Sequence, residues 1–210
     1  MIRNIGVIAW FAVCAAALPA RAGLDFFVKD DGSLSVLRNG SPVLVGETLL
    51  LLSADGTTVA QPLKTAVVRS GGRGGEVTAS WSSDIGVVRR TVSRRPDGRI
   101  GIVWKMKFLN GVVEGRRIEF CCLMPKQAFD YPEDGNPDLE LSEKEMLLDV
   151  GDGMLRCEFG TPPAPWRFQD MRDSMLHGNF RLRLEWPYNP AMINEIEFSI
   201  TIGEEEKKGK

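Results

Sequence analysis

Seven Asp-Gly or Asn-Gly dipeptides punctuate this chain of 210 residues: Asp31-Gly32, Asn39-Gly40, Asp55-Gly56, Asp97-Gly98, Asn110-Gly111, Asp134-Gly135 and Asp152-Gly153. These residues tolerate the positive φ that tight hairpin turns require. Turn chemistry this frequent predicts consecutive antiparallel strands.

Between the turns the side chains alternate with period two. Ile100, Ile102, Trp104, Met106 and Phe108 share one face, while Lys105 and Lys107 fall on the other. Phe180, Leu182, Leu184 and Trp186 oppose Arg181, Arg183 and Glu185, and Phe198, Ile200 and Ile202 oppose Glu197, Ser199 and Thr201. Such stripes belong to strands with one buried face. Leu49 to Leu52 is apolar on both faces and predicts a central or covered strand. The fold class that follows is all-β, an antiparallel two-sheet β-sandwich with few short helices. Ser142–Leu148 reads equally as a short helix or a strand, and Trp166–Leu176 as a helical turn or two after the Pro162-Pro163-Ala164-Pro165 stretch.

Residues 1–22 read as a secretion signal: Arg3 supplies the positive end, Ile5 to Leu18 the apolar run, and Ala20-Arg21-Ala22 the small residues a signal peptidase reads. The expected organisation is a signal over 1–22, one β-sandwich domain over 23–203, and a disordered charged tail over 204–210. The expected location is periplasmic or extracellular, with no stable membrane span after cleavage. Cleavage removes Arg3 and Arg21 from 26 basic side chains facing 28 acidic ones, leaving a net charge of −4. That balance disfavours nucleic acid as a general partner.

Cys121, Cys122 and Cys157 remain after the signal. Neighbours in a strand point to opposite faces, so Cys121 and Cys122 cannot share a partner, and either one pairs with Cys157 only if their strands adjoin. Three buried thiols acting as small apolar residues is the preferred reading.

Three polar or aromatic groups are candidates for function. Nine acids between Asp130 and Asp152 meet one base, Lys144. Oxygen ligands at close spacing suit Ca²⁺, with Asp130, Asp134 and Asp138 as the metal candidates. However, Pro132 and Leu141 occupy ligand positions of a twelve-residue calcium loop, so a solvated acidic loop without cofactor is the simpler expectation. Arg89, Arg90, Arg94, Arg95, Arg99, Lys105 and Lys107 form a basic stretch that suits an acidic polysaccharide. The strand period splits these charges between two faces, and pairing with acidic strands competes with that role. Tyr131, Trp166 and Tyr188 lie beside prolines in loops, where a flat ring stacks on a sugar face or plugs the end of a sandwich. A catalytic set is not visible: there is no GxSxG elbow or HExxH, and the one histidine is His177, in a Gly-flanked turn.

Asp31-Gly32-Ser33-Leu34-Ser35-Val36, followed by Asn39-Gly40-Ser41-Pro42-Val43, and the late Glu195-Ile196-Glu197-Phe198-Ser199-Ile200-Thr201 resemble the accessory β-sandwich domains of secreted bacterial glycoside hydrolases, including the galactose-mutarotase-like sandwiches. The resemblance implies a two-sheet antiparallel fold and a carbohydrate setting. Mutarotases work with paired histidines and a glutamate, and a chain with one histidine departs from that pattern, so no catalytic residue carries over. The expected function is a secreted, non-catalytic β-sandwich binding a polysaccharide, an oligosaccharide or another envelope ligand. The alternatives are a small carbohydrate-active enzyme using paired carboxylates from 130–152, and a structural envelope protein.

Overall fold

The computed structural model describes residues 23–63, 65–70, 75–129, 137–160, 164–171 and 179–206. Its strands, in chain order, are β1 (Leu24–Val28), β2 (Leu34–Arg38), β3 (Ser41–Leu52), β4 (Thr58–Ala60), β5 (Ala66–Ser70), β6 (Val77–Ser83), β7 (Gly86–Arg94) and β8 (Ile100–Phe108). There follow β9 (Arg117–Pro125), a 3-10 turn over Lys126–Ala128, β10 (Leu139–Leu141), β11 (Glu145–Asp149), β12 (Met154–Gly160), β13 (Arg167–Asp170), β14 (Asn179–Pro187) and β15 (Asn194–Glu205).

The strands make two antiparallel sheets. The smaller runs β1-β2-β3-β9-β14-β13, with β4 on β3; the larger runs β10-β11-β12-β15-β8-β7-β6-β5. Hairpins build most neighbours, and five of the seven turn dipeptides close them; Asn110-Gly111 instead lies in the connection from β8 to β9, which belong to different sheets, and Asp134-Gly135 lies outside the described residues. Asn39 (φ 50°) and Gly40 (φ 81°) close the β2–β3 hairpin in two residues, the conformation that favours this pair. Gly32 (φ 84°) turns β1 into β2, and a Cβ there would lie 2.5 Å from the Ala66 Cβ and 2.7 Å from the Trp81 ring. β15 breaks the hairpin pattern by inserting between β12 and β8, as β9 does between β3 and β14.

The alternating stripes face each other across the sandwich. Phe120 of β9 meets Trp104 of β8 and Phe198 of β15 at centroid distances of 5.0 and 5.1 Å, and Trp104 stacks on Phe198 at 5.0 Å. Edge-to-face and stacked pairs of this kind add about 0.5–1.5 kcal/mol each beyond their buried area. Leu49 and Leu51 are fully buried, and β3 lies between β2 and β9, as its two-faced apolarity predicts.

One open reading is decided and two expectations need correction. Residues 145–149 of the segment read as helix or strand form β11, because Met146 and Leu148 bury fully against β12 while Ser142 Oγ accepts from the Lys144 and Glu145 amides to shape the turn before it. The part of 166–176 expected to be helical that is described includes strand β13, held by its register with β14. Glu204 and Glu205, expected in a charged tail, belong to β15. Glu204 and Glu205 pair with Leu155 and Met154 in the β12–β15 ladder, and Arg38 and Arg156 receive their carboxylates.

The cysteines are free thiols and buried. β9 and β12 lie in different sheets, so the pairing within one sheet that would join Cys121 or Cys122 to Cys157 does not arise. Burial pushes the Cys157 thiol up to about 12 and raises Cys122 well above its ordinary value.

Candidate functional site

Two of the three aromatic candidates are core residues, which corrects their reading as sugar platforms. Trp166 is 4% exposed, stacked on Phe159 at 5.1 Å and set edge-on to Phe120 and Phe198. Tyr188 is also 4% exposed, and its hydroxyl donates to the Leu109 carbonyl at 2.8 Å. Neither ring has a free face for stacking. Trp186 is similarly buried, at 6.1 Å from Phe198. Tyr131, Asp130, Asp134 and His177 lie outside the described residues. Asp138 is exposed at the start of β10, and its carbonyl accepts from the Asp149 amide. Among the described residues no group of three or more His, Cys, Asp or Glu side chains could hold a metal ion.

The basic stretch divides as its period requires. Arg90 points between the sheets, where it pairs with Glu47 and donates through Nη2 to the Gly32 carbonyl at 2.6 Å. Its guanidinium also lies 5.4 Å from the Trp81 ring. Glu47 is turned inward beside a register shift at Gly46, and accepts from Trp104 Nε1 at 3.1 Å. Burial pushes the Glu47 carboxyl up, against the opposing pull of Arg90 and Trp104. Arg94 pairs with Asp25 at 2.8 Å and closes one end of the sandwich.

Arg89, Lys105 and Lys107 face outward on the larger sheet. With Val87, Glu195 and Glu197 they line an open groove of about 620 Å³ across β7, β8 and β15. Lys107 meets Glu195 at 2.8 Å and Lys105 meets Glu197 at 3.0 Å, with Lys105 62% exposed. Exposed pairs like these are worth about 0.2–1 kcal/mol, so an incoming group can displace either partner at small cost. Toward the other end of β8 and β15 the face is covered. Arg95 lies over Gly101 and Arg99 over Gly203, where a Cβ would come within 3.0 and 2.9 Å of those side chains. Arg99 then reaches Glu158 at 2.9 Å.

The smaller sheet carries a tighter polar cluster outside. Glu119, 6% exposed, accepts from Arg183 Nε at 2.9 Å, and Arg183 also meets Glu185. Arg117 reaches Glu185 at 3.1 Å. These charges pair with one another across β9 and β14.

The sequence reading missed Glu47 and Arg90 as a pair. Their signal was parity: Glu47 shares a face with Leu49 and Leu51, and Arg90 with Val88 and Val92. A charge in an apolar stripe marks an inward polar contact.

No family model matches the sequence, and no curated protein matches it. Among solved structures it is similar to a 4-alpha-glucanotransferase from Thermococcus litoralis, with a TM-score of 0.51 and 10% identity over 86% of this chain and 36% of that one. A beta-arabinopyranosidase aligns with a TM-score of 0.40 and 12% identity, covering 86% of this chain and 38% of that one. A protein described as a kojibiose phosphorylase, from human microbiome, aligns at 0.40 and 10%, covering 89% and 26%. The chain spans little more than a third of the glucanotransferase. No helix among the described residues is long and apolar enough to cross a membrane. At this identity the likeness to the glucanotransferase establishes an all-β fold in common.

Proposed function

We propose that this protein is an exported, non-catalytic β-sandwich that binds carbohydrate on the outward face of its larger sheet. The observation that carries the reading is the open groove across β7, β8 and β15, which combines exposed Val87 with charged and hydrogen-bonding side chains. Apolar patches beside a few convergent polar groups are what a sugar, with its C–H face and hydroxyl rim, can use. The fold held in common with a 4-alpha-glucanotransferase supports a carbohydrate setting. The catalytic alternative has less behind it. Of the acids in 130–152, Glu145 pairs with Arg156 at 2.5 Å and Asp152 with Arg38 at 2.6 Å, so both are engaged in ion pairs on the sheet surface.

Retention of the purified protein in native gels containing single polysaccharides tests the reading. A panel of neutral and acidic polymers, with reducing-end release assayed in parallel, is expected to give retention by at least one polymer and no release. Free migration in every gel, from protein with a native circular dichroism spectrum, would overturn it.

A further inference from the structure

The outward face of the larger sheet is electrically divided. The pairing register and burial pattern place Arg69 of β5, Arg89 of β7, and Lys105 and Lys107 of β8 outward, and no acid occupies an outward position on β5 to β8. The other half is mainly acidic: Glu195 and Glu197 on β15, Glu158 on β12 and Glu145 on β11 face outward, with Arg156 and, reaching over from the β7–β8 turn, Arg99 among them. The groove lies at the boundary.

Arg89 stands directly opposite Lys105 in the β7–β8 ladder. Like charges in register repel, and Arg89 makes no ion pair among the described residues while Lys105 has Glu197. The juxtaposition concentrates positive charge on an exposed face, and an anion seated there would relieve the repulsion. Hydroxyls stand beside Val87 among the neighbouring side chains: Thr78 and Thr91 meet across β6 and β7 at 3.3 Å, and Ser80 stands opposite Arg89. The backbone positions that carry these cations are about 4.8 Å apart between adjacent strands and about 6.8 Å apart at two residues along one strand, a regular spacing that suits a polymer with repeating anionic groups.

We propose that the β5–β8 half of this face binds an anionic polysaccharide, its acidic groups seated on Arg89, Lys105 and Lys107 and its hydroxyls on the Ser and Thr side chains beside them. The proposal rests on the carbohydrate-binding reading and specifies the ligand's chemistry. Carboxylates or sulfates accept from the arginine fork and displace Glu197 and Glu195 from exposed lysines that hold them weakly. The acidic half repels the same polymer and so confines it to one side of the groove.

The test compares polygalacturonate, dextran sulfate and neutral dextran in titrations of the purified protein at low salt, beside the double variant Arg89→Glu/Lys105→Glu. Both side chains are exposed, so the variant keeps the fold, checked by circular dichroism. Polygalacturonate or dextran sulfate is expected to bind, with affinity at least tenfold lower in the variant and falling with added salt. Binding by one polyanion and not the other identifies carboxylate or sulfate as the recognised group. A second variant, Glu195→Gln/Glu197→Gln, is expected to bind several-fold tighter. Equal binding of polyanion by wild type and Arg89→Glu/Lys105→Glu overturns the inference. Dextran bound as tightly as the polyanions overturns it too, while leaving the carbohydrate reading intact. Failure of all three polymers overturns both, and duplex DNA bound as tightly as the best polyanion overturns the assignment to polysaccharide.

Discussion

Arg90 of β7 and Glu47 of β3 form an ion pair in the middle of the sandwich, one from each sheet, with side chains 1% and 3% exposed. Arg90 also grips the Gly32 carbonyl and Glu47 takes the Trp104 indole N–H, so the pair ties a hairpin turn, both sheets and the aromatic core together. Removing one partner from such a pair leaves a buried charge without compensation. Arg90→Ala is expected to destabilise the fold by about 3–5 kcal/mol. The double replacement Glu47→Leu/Arg90→Met is expected to recover most of that loss, because it removes both desolvated charges. Urea unfolding of the wild type, Glu47→Leu, Arg90→Met and the double variant measures the coupling. Additive losses would mean that the two side chains act independently.

Trp166 and Tyr188 are expected to matter for stability and not for ligand. Tyr188→Phe removes the hydroxyl that donates to Leu109 and is expected to cost about 0.5–1.5 kcal/mol. Trp166→Ala, which empties a site between Phe159 and Phe120, is expected to cost about 3–5 kcal/mol. In the polysaccharide gels Tyr188→Phe is expected to migrate as the wild type does; loss of retention with an unchanged melting temperature would put Tyr188 in the binding site.

The three thiols differ from reactive cysteines in a way a mass spectrometer can read. Cys157, pushed up to about 12, and Cys122, raised well above its ordinary value by burial, hold almost no thiolate at pH 8. Native protein exposed to iodoacetamide is expected to stay unmodified at both, while protein in 6 M urea gains three adducts on Cys121, Cys122 and Cys157. Rapid native labelling of Cys157 would contradict the packing of β12 against the core.

Asp55, in the turn after β3, has its carboxyl lowered to about 2, chiefly by the Ser53 hydroxyl and then by the Thr57 amide. A folded-state value below the ordinary 3.8 means that its contribution to stability is present above that pH and lost as pH falls toward 2. Ser53→Ala is expected to raise the Asp55 titration midpoint toward the ordinary value, followed by carboxyl-detected NMR. An unchanged midpoint would remove Ser53 as its cause.

The strands were legible because Asp-Gly and Asn-Gly turns and period-two stripes are local signals. Lys105 and Lys107 opposite Trp104 and Met106 gave the orientation of β8 directly. Burial of Trp166 was one of two readings left open, and it is decided by Phe159, Phe120 and Phe198, which come from three other strands in two sheets. A tryptophan after a proline run looks the same in sequence whether it plugs a core or meets a sugar. Glu204 and Glu205 read as tail because the arginines that receive them, Arg38 and Arg156, are far away in the chain. For the candidate site, the basic stretch was visible and its splitting by parity was foreseen. The electrical division of the sheet face was not, because it depends on β15 inserting beside β8.

The most direct test of a ligand seated on the larger sheet is an amide NMR titration of isotope-labelled protein with polygalacturonate oligomers. Shift changes are expected to concentrate on Val87, Arg89, Lys105, Lys107 and their β15 neighbours Glu195 and Glu197, with the smaller sheet undisturbed. Shifts confined to other surfaces, or none at saturating oligomer, would contradict the account.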